Sequence, residues 1–234
     1  MNQLPIFICF ICSHELIEET RLGTCAYCGT HEETDWICPE SFNHYICETC
    51  RLSIPGDVIE TVCKHTSSND AWEIATLIMK HPVFSQHGVE HHVLVAPVIL
   101  TALMNNKQIE FDRDSVKGVL KRTADIPPGV CGSRGDCGAS VGAGATVSIL
   151  LKASFKSGKE RSLVMKTTAN AMLKLAKMGG GRCCKQSVYA AIETCKDILK
   201  QELNLELVIG RNTCSFSGLI ADCKMKECPY YEQK

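Results

Sequence analysis

Three cysteine pairs, Cys9/Cys12, Cys25/Cys28 and Cys47/Cys50, each separated by two residues, stand in the first fifty residues of the chain. A two-residue gap lets a tight knuckle aim two thiolates at one ion, and two knuckles complete a tetrahedron. "CPESFNHYICETC" places Cys38 and His44 ahead of the third pair. One set of four cysteines and one of three cysteines with a histidine can therefore be drawn from eight donors. The pairs can close sequentially or interleave, and spacing leaves both topologies open. Two zinc ions are expected, one being the simpler count. His31 is a stand-in ligand, and Cys63 with His65 are bystanders. Every donor is consumed, which makes such sites structural, with metal supplying on the order of 10–16 kcal/mol of folding free energy per site.

The remaining chemistry lies far downstream, since residues 64–130 hold no cysteine. Cys131, Cys137, Cys183, Cys184, Cys214, Cys223 and Cys228 have none of the knuckle spacings. They fall at breaks: after "IPPG", after "MGGGR" and in the tail "CSFSGLIADCKMKECPYY". Thiols gathered from loops and helix starts beside glycines, Arg134, Arg182 and Lys185 suit an iron–sulfur cluster. Glycine admits the inorganic core, and backbone N–H groups and cations offset the thiolate charge. Adjacent side chains at a helix start diverge, so Cys183 and Cys184 are not expected on one metal atom. One is a ligand and the other a reactive thiol, or they serve two clusters. Asp136 is a candidate proton acceptor or a helix N-cap, Arg182 and Arg134 candidate clamps for a substrate carboxylate. His91 and His92 read as satisfied histidines, and Cys195, on an apolar helical stripe, as core.

The elements that must position these residues divide at the polar stretch "KHTSSND", residues 64–70, into a module over 1–66 and a body over 67–234. The fold class expected is α+β, a small zinc-binding module followed by a mainly α-helical domain. Asn69 or Asp70 should cap a helix over "DAWEIATLIMK". Further helices are expected over 89–106, kinked at Pro97, over "RDSVKGVLKRT", and from Asp136 through the small-residue run "CGASVGAGATVSILLKASF". "SLVMKTTANAMLKLAKM" carries Met165, Ala169, Met172 and Ala176 on one face and stops at Gly179–Gly181. The last helix, 184–203, buries a stripe from Val188 to Leu203, and "LELVIG" is the one strand expected in this half.

Composition sets bounds on partners. The chain is 45% hydrophobic with net charge −1, but residues 1–66 carry −7 and the remainder +6. Loading the module with two divalent ions against seven thiolates makes it still more acidic. That argues against nucleic acid, as does the lack of dense Lys/Arg clusters, and leaves a protein partner for the acidic module. The absence of an 18-residue apolar run excludes a membrane span. Sixteen cysteines without an export signal point to reduced thiols and a cytoplasmic setting.

The N-terminal donor arrangement resembles treble-clef and cross-brace zinc modules. "EHHVLVAPVILTAL", "GVCGSRGDCGASVGAGATVSIL", "MGGGRCCKQSVYAAI" and "CSFSGLIADCKMKECPY" together resemble a cysteine-rich prokaryotic domain family over about residues 85–230. Members of that family are sometimes joined to methyltransferase-like or radical-SAM-associated proteins. "CGASVGAGATVSIL" and "GGRCCKQ" are also similar to cluster-binding helices of the iron–sulfur cysteine desulfidase and serine dehydratase families. That likeness implies a [4Fe–4S] cluster with an open iron, held by Cys137 and by Cys183 or Cys184. "HHVLVAPVIL" lacks the upstream ligand of those families, so Cys214, Cys223 or Cys228 would replace it. The implied substrate is a small or sulfur-carrying molecule, with lyase or desulfidase-like chemistry. A non-enzymatic zinc-binding adaptor is the alternative.

Overall fold

A computed structural model describes residues 7–39, 44–179, 183–210 and 213–232. The fold is α+β, a three-stranded sheet at the N-terminus followed by a mainly helical body. Strand β1 (Ile17–Cys25) pairs antiparallel with β2 (His31–Ile37). The short β3 (His44–Tyr45) runs parallel to the end of β1, with Thr24 opposite His44 and Cys25 opposite Tyr45. Helix α1 (Glu48–Arg51) begins on the third cysteine pair, and α2 (Pro55–His65) starts with proline at its first position, where no N–H is needed.

Helix α3 (Ala71–Met79) follows and packs against α2. Its cap is Asp70, which accepts from the Trp72 and Glu73 amides at 2.8 and 3.3 Å. The helix expected over 89–106 is two: α4 (Glu90–Val93) and α5 (Val95–Asn105), broken at Leu94. Pro97 is the cause, since it has no N–H for the Val93 carbonyl and its ring crowds that turn. Every side chain from Val95 to Leu103 is buried, so α5 is the central post of the core. Each large aliphatic side chain there contributes about 1.5–3 kcal/mol by leaving water.

After it come α6 (Val116–Leu120), the one-turn α7 (Val130–Ser133), α8 (Gly138–Leu150), α9 (Gly158–Lys177) and α10 (Cys184–Leu203), of which α6, α8 and α10 pack on α5 and α9 packs on α8 and α10. Cys195 is fully buried on α10, its thiol 3.6 Å from the Ala143 carbonyl. Asn204 ends α10 in the left-handed region, at φ 53°.

One expectation is corrected here. "LELVIG" is not a strand: among the described residues its one ladder contact is an isolated parallel bridge between Asp70 and Val208. On α9 the buried residues are Thr167 and Ala171, and the Met165 face turns outward, Met165 being 65% exposed. The reason is the closeness of α8. A Cβ on Gly144 would lie 2.0 Å from Thr168 Oγ1 and 3.1 Å from the Val164 carbonyl, so small residues form the seam.

The tail from 213 to 232 folds back over α10 and α3. Cys214 donates its amide to the Tyr230 carbonyl at 2.7 Å, and Trp72 Nε1 donates to the Thr213 carbonyl at 3.2 Å. Lys224 Nζ donates to the Met178 and Gly179 carbonyls at 2.9 and 2.7 Å, capping α9 where a cation suits the helix dipole. Among the described residues no helix is long and apolar enough to cross a membrane.

Candidate metal centres

Two four-donor groups form in the N-terminal module: Cys9, Cys12, Cys38 and His44, and Cys25, Cys28, Cys47 and Cys50. Within each, the ligand atoms lie within 4.8 Å of one another. Closest approaches are 3.2 Å for Cys12–Cys38 and 3.7 Å for both Cys28–Cys47 and Cys9–His44. Sulfurs bound at about 2.3 Å around one tetrahedral ion stand about 3.8 Å apart, so both groups fit a single metal ion each. His31 instead contacts Thr24 Oγ1 at 2.9 Å, and Cys63 is fully buried in the helical core.

The pairs interleave, and the strands explain why. The knuckles at Cys9 and Cys25 share one backbone pattern, in which the first cysteine bonds the carbonyl five residues on and accepts from the amide four residues on. Each closes through a positive φ, at Ser13 (65°) and Gly29 (74°). From the first knuckle β1 carries the chain to the second, and β2 returns it to Cys38. After His44, β3 leads over again to Cys47, the N-cap of α1. Each strand is thus a span between the two ion positions, and sequential closure would require the hairpin to fold onto itself.

The thiols are unequal before metal enters. Burial opposes ionisation of Cys12, but hydrogen bonds with the His14 backbone, Cys38, His44 and the His14 side chain bring it down to about 6. Cys28 is brought to about 6 against burial, chiefly by Thr30. Burial pushes Cys47 up to about 11 and Cys50 up as well.

The module is seated on α3. Tyr27 Oη donates to the Leu77 carbonyl at 3.4 Å, and its ring meets that of His81 edge-on at 5.2 Å. His81 Nε2 lies 2.8 Å from the Cys50 carbonyl, and Lys80 Nζ reaches the Ile11 carbonyl.

The C-terminal cysteines gather differently. Among the described residues they form no group of donors within 4.8 Å. Cys183, the N-cap of α10, lines one cavity with Cys214, Cys223, Cys228, Gln186 and Tyr230. Gln186 donates its amide to Cys183 Sγ and its side-chain Nε2 to Cys228 Sγ, both at 3.4 Å. Burial raises the Cys214 thiol to about 11, with thiolate charge on Cys183, Cys228 and Cys223 adding to it. Cys184 is not among the residues lining that cavity. Burial pushes its thiol up, and it feels Cys183, Cys131 and Cys137. Cys131 is exposed on α7, and Cys137 is the N-cap of α8, with no side-chain cap hydrogen bond there.

Lys185 is buried beside these thiols, 3% exposed, donating to the Ser85 carbonyl at 3.0 Å and lying 3.3 Å from His91 Nε2. Its ammonium stands 5.0 Å from the Phe216 ring centre. Gln186 escaped the sequence reading; its only signal was its place three residues past a helix-start cysteine. Asp136 is paired with Arg134 at 3.0 Å and is not the cap of α8. Arg182 lies outside the described residues. Two of the α8 glycines face packed protein: a Cβ at Gly138 would lie 2.2 Å from His92 Cγ, and one at Gly142 3.0 Å from Val95 Cβ.

No curated protein and no solved structure gives a significant match to the chain. A family model matches residues 59–231, a span that contains every C-terminal cysteine and none of the eight N-terminal donors. The chain therefore belongs to the DUF5714 family, a family of unknown function.

Proposed function

We propose that the chain is a metalloprotein with two structural zinc ions in its N-terminal module and an iron–sulfur centre, [4Fe–4S], in its helical body, acting on a small or sulfur-carrying molecule. The module over 1–66 would be the zinc unit, and the body over 67–234 the reacting unit. Thiolate and imidazole donors at single-ion spacing, all consumed, support zinc over a catalytic metal. The observation that carries the second half is the gathering of Cys183, Cys214, Cys223 and Cys228 around one cavity without single-ion spacing. A cluster interposes iron and sulfide between its thiolates, so they stand further apart than on one ion. N–H donation from Gln186 to two of those sulfurs is the kind of contact that tunes such a centre.

Where such a centre is held by only three thiolates, one iron is left without a protein ligand and would supply Lewis-acid activation to a bound substrate. The chain's own contribution would be Cys184 on the reacting side, Asp136 as the proton acceptor once released from Arg134, and Arg182 holding a substrate carboxylate. Lyase or desulfidase-like chemistry is the reaction class this set suits. A zinc-binding adaptor is the second reading. It is favoured by apolar side chains at the surface of the module, the Phe7 ring tilted against Trp36 at 4.7 Å, with Leu22 63% and Leu52 68% exposed.

Metal and acid-labile sulfide per chain, measured on anaerobically purified protein with its visible spectrum, tests the proposal. Zinc together with iron and matching sulfide is expected. Zinc without iron, after reconstitution with ferrous iron and sulfide, leaves the adaptor.

A further inference from the structure

We propose that adjacent Cys183 and Cys184 belong to two different centres: a closed one completed by Cys214, Cys223 and Cys228, and an open one shared with Cys131 and Cys137. The inference rests on the reading that the C-terminal cysteines hold iron and sulfide, and deepens it by assigning ligands.

The closed set stands on geometry. Its four cysteines line one cavity whose other walls are largely aromatic, Tyr189, Phe216 and Tyr230 among them. Such a wall excludes water from a centre with no coordination position to spare. Gln186 bonds two of the four sulfurs from α10, and the Tyr230 carbonyl fixes the backbone of a third, Cys214. Lys224, which also lines the cavity, has its ammonium held against the end of α9.

The open set begins at Cys184, which does not line that cavity. Cys184 is the first residue of α10 and Cys137 the cap of α8, so two helix N-termini present positive ends to these thiolates. Cys131 and Cys137 are both within electrostatic reach of Cys184, and Cys131 stands on α7 between Gly129 and Gly135, both in the left-handed region. A second observation points to an occupant here. His92 is 9% exposed, and its ring lies against Gly138, the first residue of α8. Its buried Nδ1 has no hydrogen-bond partner among the described residues. Burying an unbonded ring nitrogen is unfavourable, and a ligand at that helix end would relieve it. Three thiolates leave a cuboidal cluster one iron for a substrate, and the exposure of Cys131 gives access.

Lys185 follows both cysteines and is within electrostatic reach of Cys183, Cys184 and Cys214, so one buried ammonium serves the thiolates of both centres.

The test uses the full chain, zinc-loaded and reconstituted anaerobically with ferrous iron and sulfide. Cyanide is the probe for an open iron, read in the electron paramagnetic resonance of the dithionite-reduced protein. The combined Cys214→Ser, Cys223→Ser and Cys228→Ser variant should keep about half of the iron and the whole cyanide response. Cys131→Ser with Cys137→Ser should keep the other half and lose the response. Single substitutions separate the neighbours: Cys183→Ser should follow the tail variant, and Cys184→Ser the other. Zinc content and far-ultraviolet circular dichroism report folding, and the single variants decide the matter where a multiple one misfolds. Parallel loss of all iron from both sets, or a cyanide response lost with the tail cysteines, overturns the partition while leaving an iron–sulfur protein. A wild-type chain that takes up no iron defeats the underlying reading instead.

Discussion

Trp72 lies flat on Tyr189, ring centres 3.8 Å apart and planes within 5°, and Tyr230 meets both rings edge-on. The stack joins α3 to α10, and through Tyr230 it fixes the tail that carries three cysteines. Tyr189 Oη adds a 2.8 Å contact to Thr76 Oγ1, so the pair is anchored at its polar end too.

Replacing Trp72 with alanine should therefore cost about 3–5 kcal/mol of stability, the usual figure for an aromatic removed from a packed core. It should also lower iron uptake, because the Thr213 carbonyl loses its indole donor and the tail its wall. Denaturant unfolding and iron per chain check both. A variant with normal stability would show that the stack is incidental.

The interleaved module predicts paired losses. Cys9→Ser and Cys38→Ser should each remove the same ion and add little to one another, although the whole β1–β2 hairpin separates them. Cys25→Ser and Cys47→Ser should behave likewise for the other ion. Zinc per chain and the non-additivity of unfolding free energies are the measurements. Coupling of Cys9 with Cys25 would point back to sequential closure.

Gly138→Ala should destabilise the chain by about 1–3 kcal/mol, since the added methyl meets the His92 ring at 2.2 Å. Gly132→Ala, where nothing lies within 4 Å, should be neutral or slightly stabilising. The difference between the two melting temperatures is the readout. Equal effects would mean that α4 gives way freely.

Lys185→Met keeps the buried stem and removes the charge beside Cys183 and Cys184. Two acceptors, the Ser85 carbonyl and His91 Nε2, then lose a partner, at about 1–3 kcal/mol. Iron retained after reconstitution should fall while the two zinc ions stay. Unchanged iron would remove the ammonium from the account of thiolate charge.

Six of the eight N-terminal donors were legible in the sequence because a Cys-x2-Cys knuckle is a local object whose spacing is its geometry, and Cys38 and His44, just ahead of the third pair, completed the count. Their pairing was not, since it depends on where β1 and β2 carry the chain. The Asp70 cap was legible for the same local reason, whereas the outward turn of Met165 was hidden. Large apolar residues normally mark the buried face, but here Gly144 meets Thr168 and the Val164 carbonyl, and the residues that α9 buries are Thr167 and Ala171. "LELVIG" alternates like a strand, yet among the described residues no strand pairs with it, and Asp70 accepts the Gly210 amide at 2.8 Å in place of a ladder. The glycines of the 131–144 run proved to be spacing for helices as well as loop turns.

The ties between α3 and the last third of the chain join residues far apart in sequence: Thr76 to Tyr189 across 113 positions, Asp70 to Gly210 across 140 and Trp72 to Thr213 across 141. Contacts of such separation form late in folding, after the α8–α9 hairpin has had ample time to assemble from neighbouring sequence. Refolding of the helical body should accordingly be slow, with the aromatic stack among its last events. Until that moment the tail thiols have no wall behind them, and the order of folding sets the order in which they can be filled.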